Sequence, residues 1–258
     1  MKSYVLLDIL RIIKYSDVIG NKNASFRYAK PIEDADENSV ICIEPGNKLR
    51  DELIRSSLAS IIITDDILSL DNLNLNSKCV ILTENPRNEF LRVISALLLE
   101  RPKKGVHESA VIHKKASIQI EVSIGPNSYI GKCSIGKGSI IQGNCYIHDN
   151  TIIGEDVKIQ AGVVIGSEGF CNIRNYEGEL ESRPFIGGVI IEDNVDIGAN
   201  TCIDRGTIGN TIIGQGAKID KFVQIGYNAV IGKHSEIKAS VKINNSVVIK
   251  DYAVVSVV

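Results

Sequence analysis

The segment Ile213-Gly214-Gln215-Gly216-Ala217-Lys218-Ile219-Asp220-Lys221-Phe222-Val223-Gln224-Ile225-Gly226-Tyr227-Asn228-Ala229-Val230-Ile231-Gly232 places isoleucine at every sixth residue. Tracing that period outward decides the architecture of the C-terminal three-fifths of the chain. Toward the N-terminus it runs through Val106, Ile112, Ile118, Ile124 and Ile130, steps by five to Ile135, and continues through Ile141, Ile147, Ile153, Ile159 and Ile165. Residues 166–188 interrupt it. It resumes at Ile191, Ile197 and Ile203, slips once, and then runs from Ile213 through Ile237, Ile243 and Ile249 to Val255. A period of six fits neither an α-helix nor a simple hairpin meander. It fits a solenoid whose coil is three short strands, with one aliphatic ladder per face and small or polar residues at the corners.

Composition agrees with a prism packed with isoleucine. The 258 residues are 44% hydrophobic but only 5% aromatic, with no tryptophan. Aromatic platforms for single-stranded nucleic acid are therefore not expected. The 29 Lys and Arg against 31 Asp and Glu give no basic field for nucleic acid or an anionic membrane. No run reaches the roughly 18 apolar residues of a spanning helix, and Tyr4–Ile13, broken by Asp8 and Arg11, reads as an amphipathic helix, not a signal peptide. The six cysteines are scattered without a Cys-x-x-Cys pair, and the four histidines show no ligand spacing, so no metal site is expected. These features predict a cytoplasmic protein.

Residues 1–104 have a different rhythm. Ser39–Ile43, Ser60–Thr64 and Cys79–Thr83 read as strands, Asn47–Ser57 and Arg87–Leu99 as helices, the latter opened by Asn85-Pro86. Two domains are expected: a small α/β unit over 1–104 and the solenoid over 105–258, joined at Arg101-Pro102-Lys103-Lys104-Gly105.

The irregular stretches are the more specific signal. They are Gly166-Ser167-Glu168-Gly169-Phe170, then Pro184 through Asp204-Arg205-Gly206, then Asp220 and Val223-Gln224-Ile225-Gly226-Tyr227-Asn228. In order and spacing they resemble the UDP-3-O-acylglucosamine N-acyltransferase family of lipid A biosynthesis, and Leu7-Asp8-Ile9, Ser39–Ile43 and Asn85-Pro86 resemble its N-terminal uridine-binding domain. The resemblance implies a left-handed parallel β-helix preceded by a small α/β domain. It implies transfer of an acyl group from a CoA or acyl-carrier-protein thioester to a nucleotide-sugar amine, with no bound cofactor and a homotrimeric assembly. It puts Tyr227 where the family has its histidine base, with Asp220 as the second catalytic candidate. Glu168, Phe170, Asp204, Arg205, Gln224 and Asn228 become candidate substrate contacts. Asp204 and Arg205 could instead pair across a coil corner, and Asp220 could be a plain corner residue.

Departures accompany the resemblance. A tyrosine of ordinary pKa near 10 is a poor base at neutral pH, although it can donate a hydrogen bond. The family's uracil-stacking aromatics correspond to Ile41 and Leu49, and the glycines after its catalytic coil to Lys238, Ala239 and Ser240. The repeat reaches Val258 without a cap, where the family continues into further coils and a helical tail. Three readings follow: an N-acyltransferase of altered specificity for a surface glycan, the lipid A enzyme itself, or a sugar-nucleotide-binding scaffold without catalysis.

Overall fold

A computed structural model describes residues 2–66, 75–100 and 102–257. The chain divides into two compact units, Met1–Arg101 and Pro102–Val258.

In the N-terminal unit the β-branched runs form the expected strands, Ser39–Cys42, Ile61–Thr64 and Cys79–Leu82, paired in parallel. Tyr28–Ala29 adds a parallel edge, and Asp17–Gly20 closes the other side antiparallel. Neither edge was evident from hydrophobic period, because each is short and only half-buried. The helix read over Tyr4–Ile13 is shorter: Tyr4–Val5 pairs with Ser25–Phe26, and only Leu6–Leu10 is α-helical. The Asp8 carboxylate accepts the Val5 N–H at 3.0 Å and fixes that start. The second helix is confined to Arg50–Ser56, because the Asn47 side chain takes the Leu49 N–H into a turn. The third begins as read: Pro86 occupies the first turn and the Asn85 side chain accepts the Asn88 N–H. It ends in a wide turn, Ile94–Leu98, closed by Leu99 N–H to Ile94 O, which brings Leu97 and Leu98 against the same core as Val93.

The C-terminal unit is a parallel β-helix. Its three faces are parallel sheets of seven, eight and seven strands. All but two of these strands end on a residue of the six-residue period, and Ile130, Ile147, Ile165, Ile203 and Ile225 form one unbroken buried column. Burial of a full isoleucine side chain stabilises by about 2–3 kcal/mol, so the ladder is the main cohesive element. Corners recur three residues after most ladder positions in left-handed backbone, commonly asparagine: Asn127, Asn144, Asn150, Asn194, Asn200 and Asn228 have φ of 57–60°. Outward positions distinguish the faces. One carries Lys158, Asp196, Lys218 and Glu236; another carries Ile152, Ile190, Ile212, Val230 and Val248.

Candidate active site

Between Ile165 and Ile191 the chain leaves the β-helix. Gly166, with φ +86°, starts the departure in a space where a Cβ would lie 3.0 Å from the His148 Cβ. The excursion carries an antiparallel hairpin, Asn172–Arg174 with Leu180–Ser182, whose turn is held by the Asn175 side chain accepting the N–H groups of Glu177 and Glu179. It returns through Phe185, which is buried.

The strand that opens the excursion, Val164–Ser167, pairs with Cys202–Asp204, and a register shift after Ile165 sets Ser167 opposite Asp204. Ser167 Oγ donates to Asp204 Oδ1 at 3.2 Å, with the Cys202 thiol 3.9 Å from the same oxygen. Asp204 is only 8% exposed. Burial pushes its carboxyl above the ordinary carboxylate range, although both hydrogen bonds work the other way.

Gly169 is the meeting point of the site. A Cβ built there would stand 2.6 Å from Tyr227 Cδ1, 3.3 Å from Asp204 Oδ2 and 3.4 Å from Phe185 Cε1. Any side chain at 169 therefore collides with the tyrosine ring. Phe185 and Tyr227 meet edge-on at 5.4 Å and 74°. The neighbouring Cys171 thiol, and then burial, raise the phenol's pKa, so it keeps its proton at neutral pH.

The neighbouring loop is also fixed. Asn228 Oδ1 accepts the Thr207 N–H at 3.1 Å and the Thr207 hydroxyl at 2.8 Å, while the Asn228 N–H donates to Thr211 Oγ1. Arg205 Nε donates to Gly187 O at 3.0 Å and its Nη2 to Asp149 O at 3.2 Å. Its guanidinium thus ties the excursion's return to the coil corner, and the arginine forms no ion pair with Asp204. His148 is held below its ordinary pKa by burial and then by the charge of Arg205.

Of the candidates read from sequence, Asp204 and Tyr227 come together on Gly169, with Arg205 and Asn228 bracing the adjoining loop. Glu168 and Phe170 flank Gly169 but are exposed, Phe170 by 93%. Gln224 points outward in register with Cys202 and Lys242. Asp220 is an exposed corner residue whose carboxylate accepts the Lys221 N–H and faces the Lys238 charge. In the N-terminal unit Ile41 is fully buried and Leu49 is exposed. Ser167, Cys171, Cys202 and Thr207 were not singled out from sequence; the only signal for them is proximity to the ends of the break in the repeat. No group of three or more potential metal ligands is assembled among the described residues.

The bacterial transferase hexapeptide (six repeats) family matches residues 132–167 and 210–245, and the hexapeptide repeat of succinyl-transferase family matches 188–220. A UDP-3-O-acylglucosamine N-acyltransferase of Methylobacillus flagellatus is 36% identical over 96% of this chain and 74% of its own. The chain belongs to this acyltransferase family. A second family member, UDP-3-O-acylglucosamine N-acyltransferase 1 of Francisella tularensis subsp. holarctica, is 34% identical over 78% of this chain and 63% of its own. Among solved structures, an Arabidopsis UDP-N-acetylglucosamine acyltransferase is 22% identical over 57% of each chain, with a TM-score of 0.45. The chain thus matches about two-thirds to three-quarters of the length of these two family members.

Proposed function

We propose that the β-helix unit carries an N-acyltransferase site that moves an acyl group from a CoA or acyl-carrier-protein thioester to the amine of a nucleotide-activated amino sugar. The reaction would serve lipid A or another surface glycan and would run in the cytoplasm. The observation that carries this reading is the convergence of Asp204, Tyr227 and Phe185 on the bare backbone of Gly169. It sets an acid–base group, a hydrogen-bond donor and an apolar wall around one point, in a chain of this acyltransferase family. Relatives named for UDP-3-O-acylglucosamine supply the substrate class. Amide formation from a thioester needs an amine held on the carbonyl, an acceptor for the ammonium proton and a donor toward the oxyanion.

For the N-terminal unit, the matching reading is a nucleotide-binding module. A cavity of about 420 Å³ lies at the carboxyl ends of Tyr28–Ala29 and Ser39–Cys42, lined by Lys30, Cys42, Glu44, Arg87 and Phe90. Phe90 supplies the aromatic surface that positions 41 and 49 lack.

The test is thiol release by the purified chain with acetyl-CoA or 3-hydroxyacyl thioesters and a panel of UDP- and dTDP-amino sugars. Turnover with at least one pair is expected, and the accepted pair identifies donor and sugar. Sugar-nucleotide binding without turnover across the whole panel favours the scaffold reading, to which the tyrosine at 227 lends support.

A further inference from the structure

Two carboxylates are buried among the described residues, Glu89 and Asp204. Glu89 is paired with Arg92 and accepts the Lys14 N–H. Asp204 has no ion pair: its Oδ1 is held by Ser167 and Cys202, and no described residue hydrogen-bonds to Oδ2. The sealed, unpartnered polar atoms among the described residues are Arg50 Nε and Thr151 Oγ1, so Oδ2 keeps an opening to solvent. Oδ2 faces the bare backbone of Gly169, where a Cβ would stand 3.3 Å from it and 2.6 Å from the Tyr227 ring.

We propose that Asp204, through Oδ2, is the general base of this site, accepting the proton of the attacking amine in place of the side chain at 227. This proposal rests on the acyl-transfer reading. The amine nitrogen forms the C–N bond to the thioester carbonyl carbon, and the carbonyl electron pair moves onto oxygen. Asp204 Oδ2 takes a proton from the resulting ammonium. Collapse of the tetrahedral species breaks the C–S bond, the electron pair leaves on sulfur, and Asp204 returns the proton to that thiolate. The products are the amide and the free thiol, and the carboxylate is regenerated.

The surroundings fit the role. Burial makes the carboxylate more basic, which favours proton acceptance nearer neutral pH. The groups facing it come from three segments: Ser167 on the opening strand, Cys202 on its own strand, and the Tyr227 ring across Gly169. Arg205, the next residue, is turned onto two backbone carbonyls and does not neutralise it.

The test uses the full chain with a thioester and amino-sugar nucleotide that it turns over, from pH 5 to 9. Asp204→Asn is expected to lower kcat/KM by about 10²–10³-fold and to remove the acid limb of the profile, with KM changed only a few-fold. Tyr227→Phe is expected to leave that limb in place. Ser167→Ala is the second variant, for the case that Asp204→Asn does not fold. Loss of the Ser167 hydrogen bond, which lowers the carboxyl's pKa, moves the acid limb to higher pH. Turnover by Asp204→Asn within ten-fold of the unmodified chain, or an acid limb unmoved in Ser167→Ala, overturns the proposal and leaves the acyl-transfer reading intact. Absence of turnover by the unmodified chain with every pair overturns both.

Discussion

Arg50 is buried in the N-terminal unit, its Nη1 bonded to the Asp65 carboxylate and its Nε without a described partner. Burial pushes Asp65 upward, but the guanidinium and the Gly46 N–H outweigh it and hold the carboxyl below its ordinary range. A depressed carboxylate contributes stability above its unfolded pKa and loses it as pH falls through the folded value. Asp65→Asn should therefore cost about 2–3 kcal/mol at neutral pH, because it leaves a buried guanidinium uncompensated, and less in acid. Urea denaturation at pH 7 and pH 3 measures both; an equal cost at the two values would refute the assignment. Such a pair was not legible in the sequence. Residues 50 and 65 are ordinary charges until the parallel strands bring their loops together. The ladder isoleucines were legible because each inward place accepts only a compact aliphatic side chain, and the repetition exposes that rule. Asp204 and Tyr227 were legible as candidates through family resemblance, but their convergence on Gly169 was not, since no period links residues 169, 204 and 227. The left-handed corners at Phe222 and Tyr252, with φ of 58° and 59°, contradict local preference and could not be read in advance.

At the scale of elements, the period of six located the β-helix strands, whereas the hairpin inside the excursion has no periodic signature. Its strands are three residues each, and the Leu180–Ser182 strand is exposed throughout. Below the hairpin, Arg183 N–H donates to Cys171 O at 2.9 Å and closes its neck. Replacing residues 172–182 by a two-glycine turn should leave β-helix stability within about 1 kcal/mol, as loop length enters closure entropy only logarithmically. Thermal unfolding followed by circular dichroism checks this. A loss above about 3 kcal/mol would mean that the hairpin holds the coils together, against the pairing observed. The mispredicted elements in the N-terminal unit share one cause. A two-residue strand and a five-residue helix are too short for their patterns to emerge, and pairing partners decide them.

At the scale of the whole molecule, the β-helix face bearing Ile152, Ile190, Ile212, Val230 and Val248 has a row of outward aliphatics where the opposing face has an exposed Lys218–Asp196 ion pair. We propose that this aliphatic row is covered by a neighbouring copy of the chain in a homotrimer, through head-to-tail contacts that close a ring and exclude water from the apolar face. Light scattering should give three times the chain mass at micromolar concentration, and Ile212→Lys with Val230→Lys should reduce it to one. A monomeric unmodified chain would rule the assembly out. No helix among the described residues is long and apolar enough to cross a membrane.

The break at residues 166–188 has one more consequence. Ile153 still stacks directly on Ile191 across it, and Ile165 on Ile203, so the coil resumes in phase as though nothing had intervened. The scaffold does not count the residues that leave it; it only requires that they return at the same rung. Chemistry and architecture are therefore separable inheritances. Segments of other length or composition could be spliced at Gly166 and Gly188 and tried as new binding surfaces, while the isoleucine columns keep the prism unchanged beneath them.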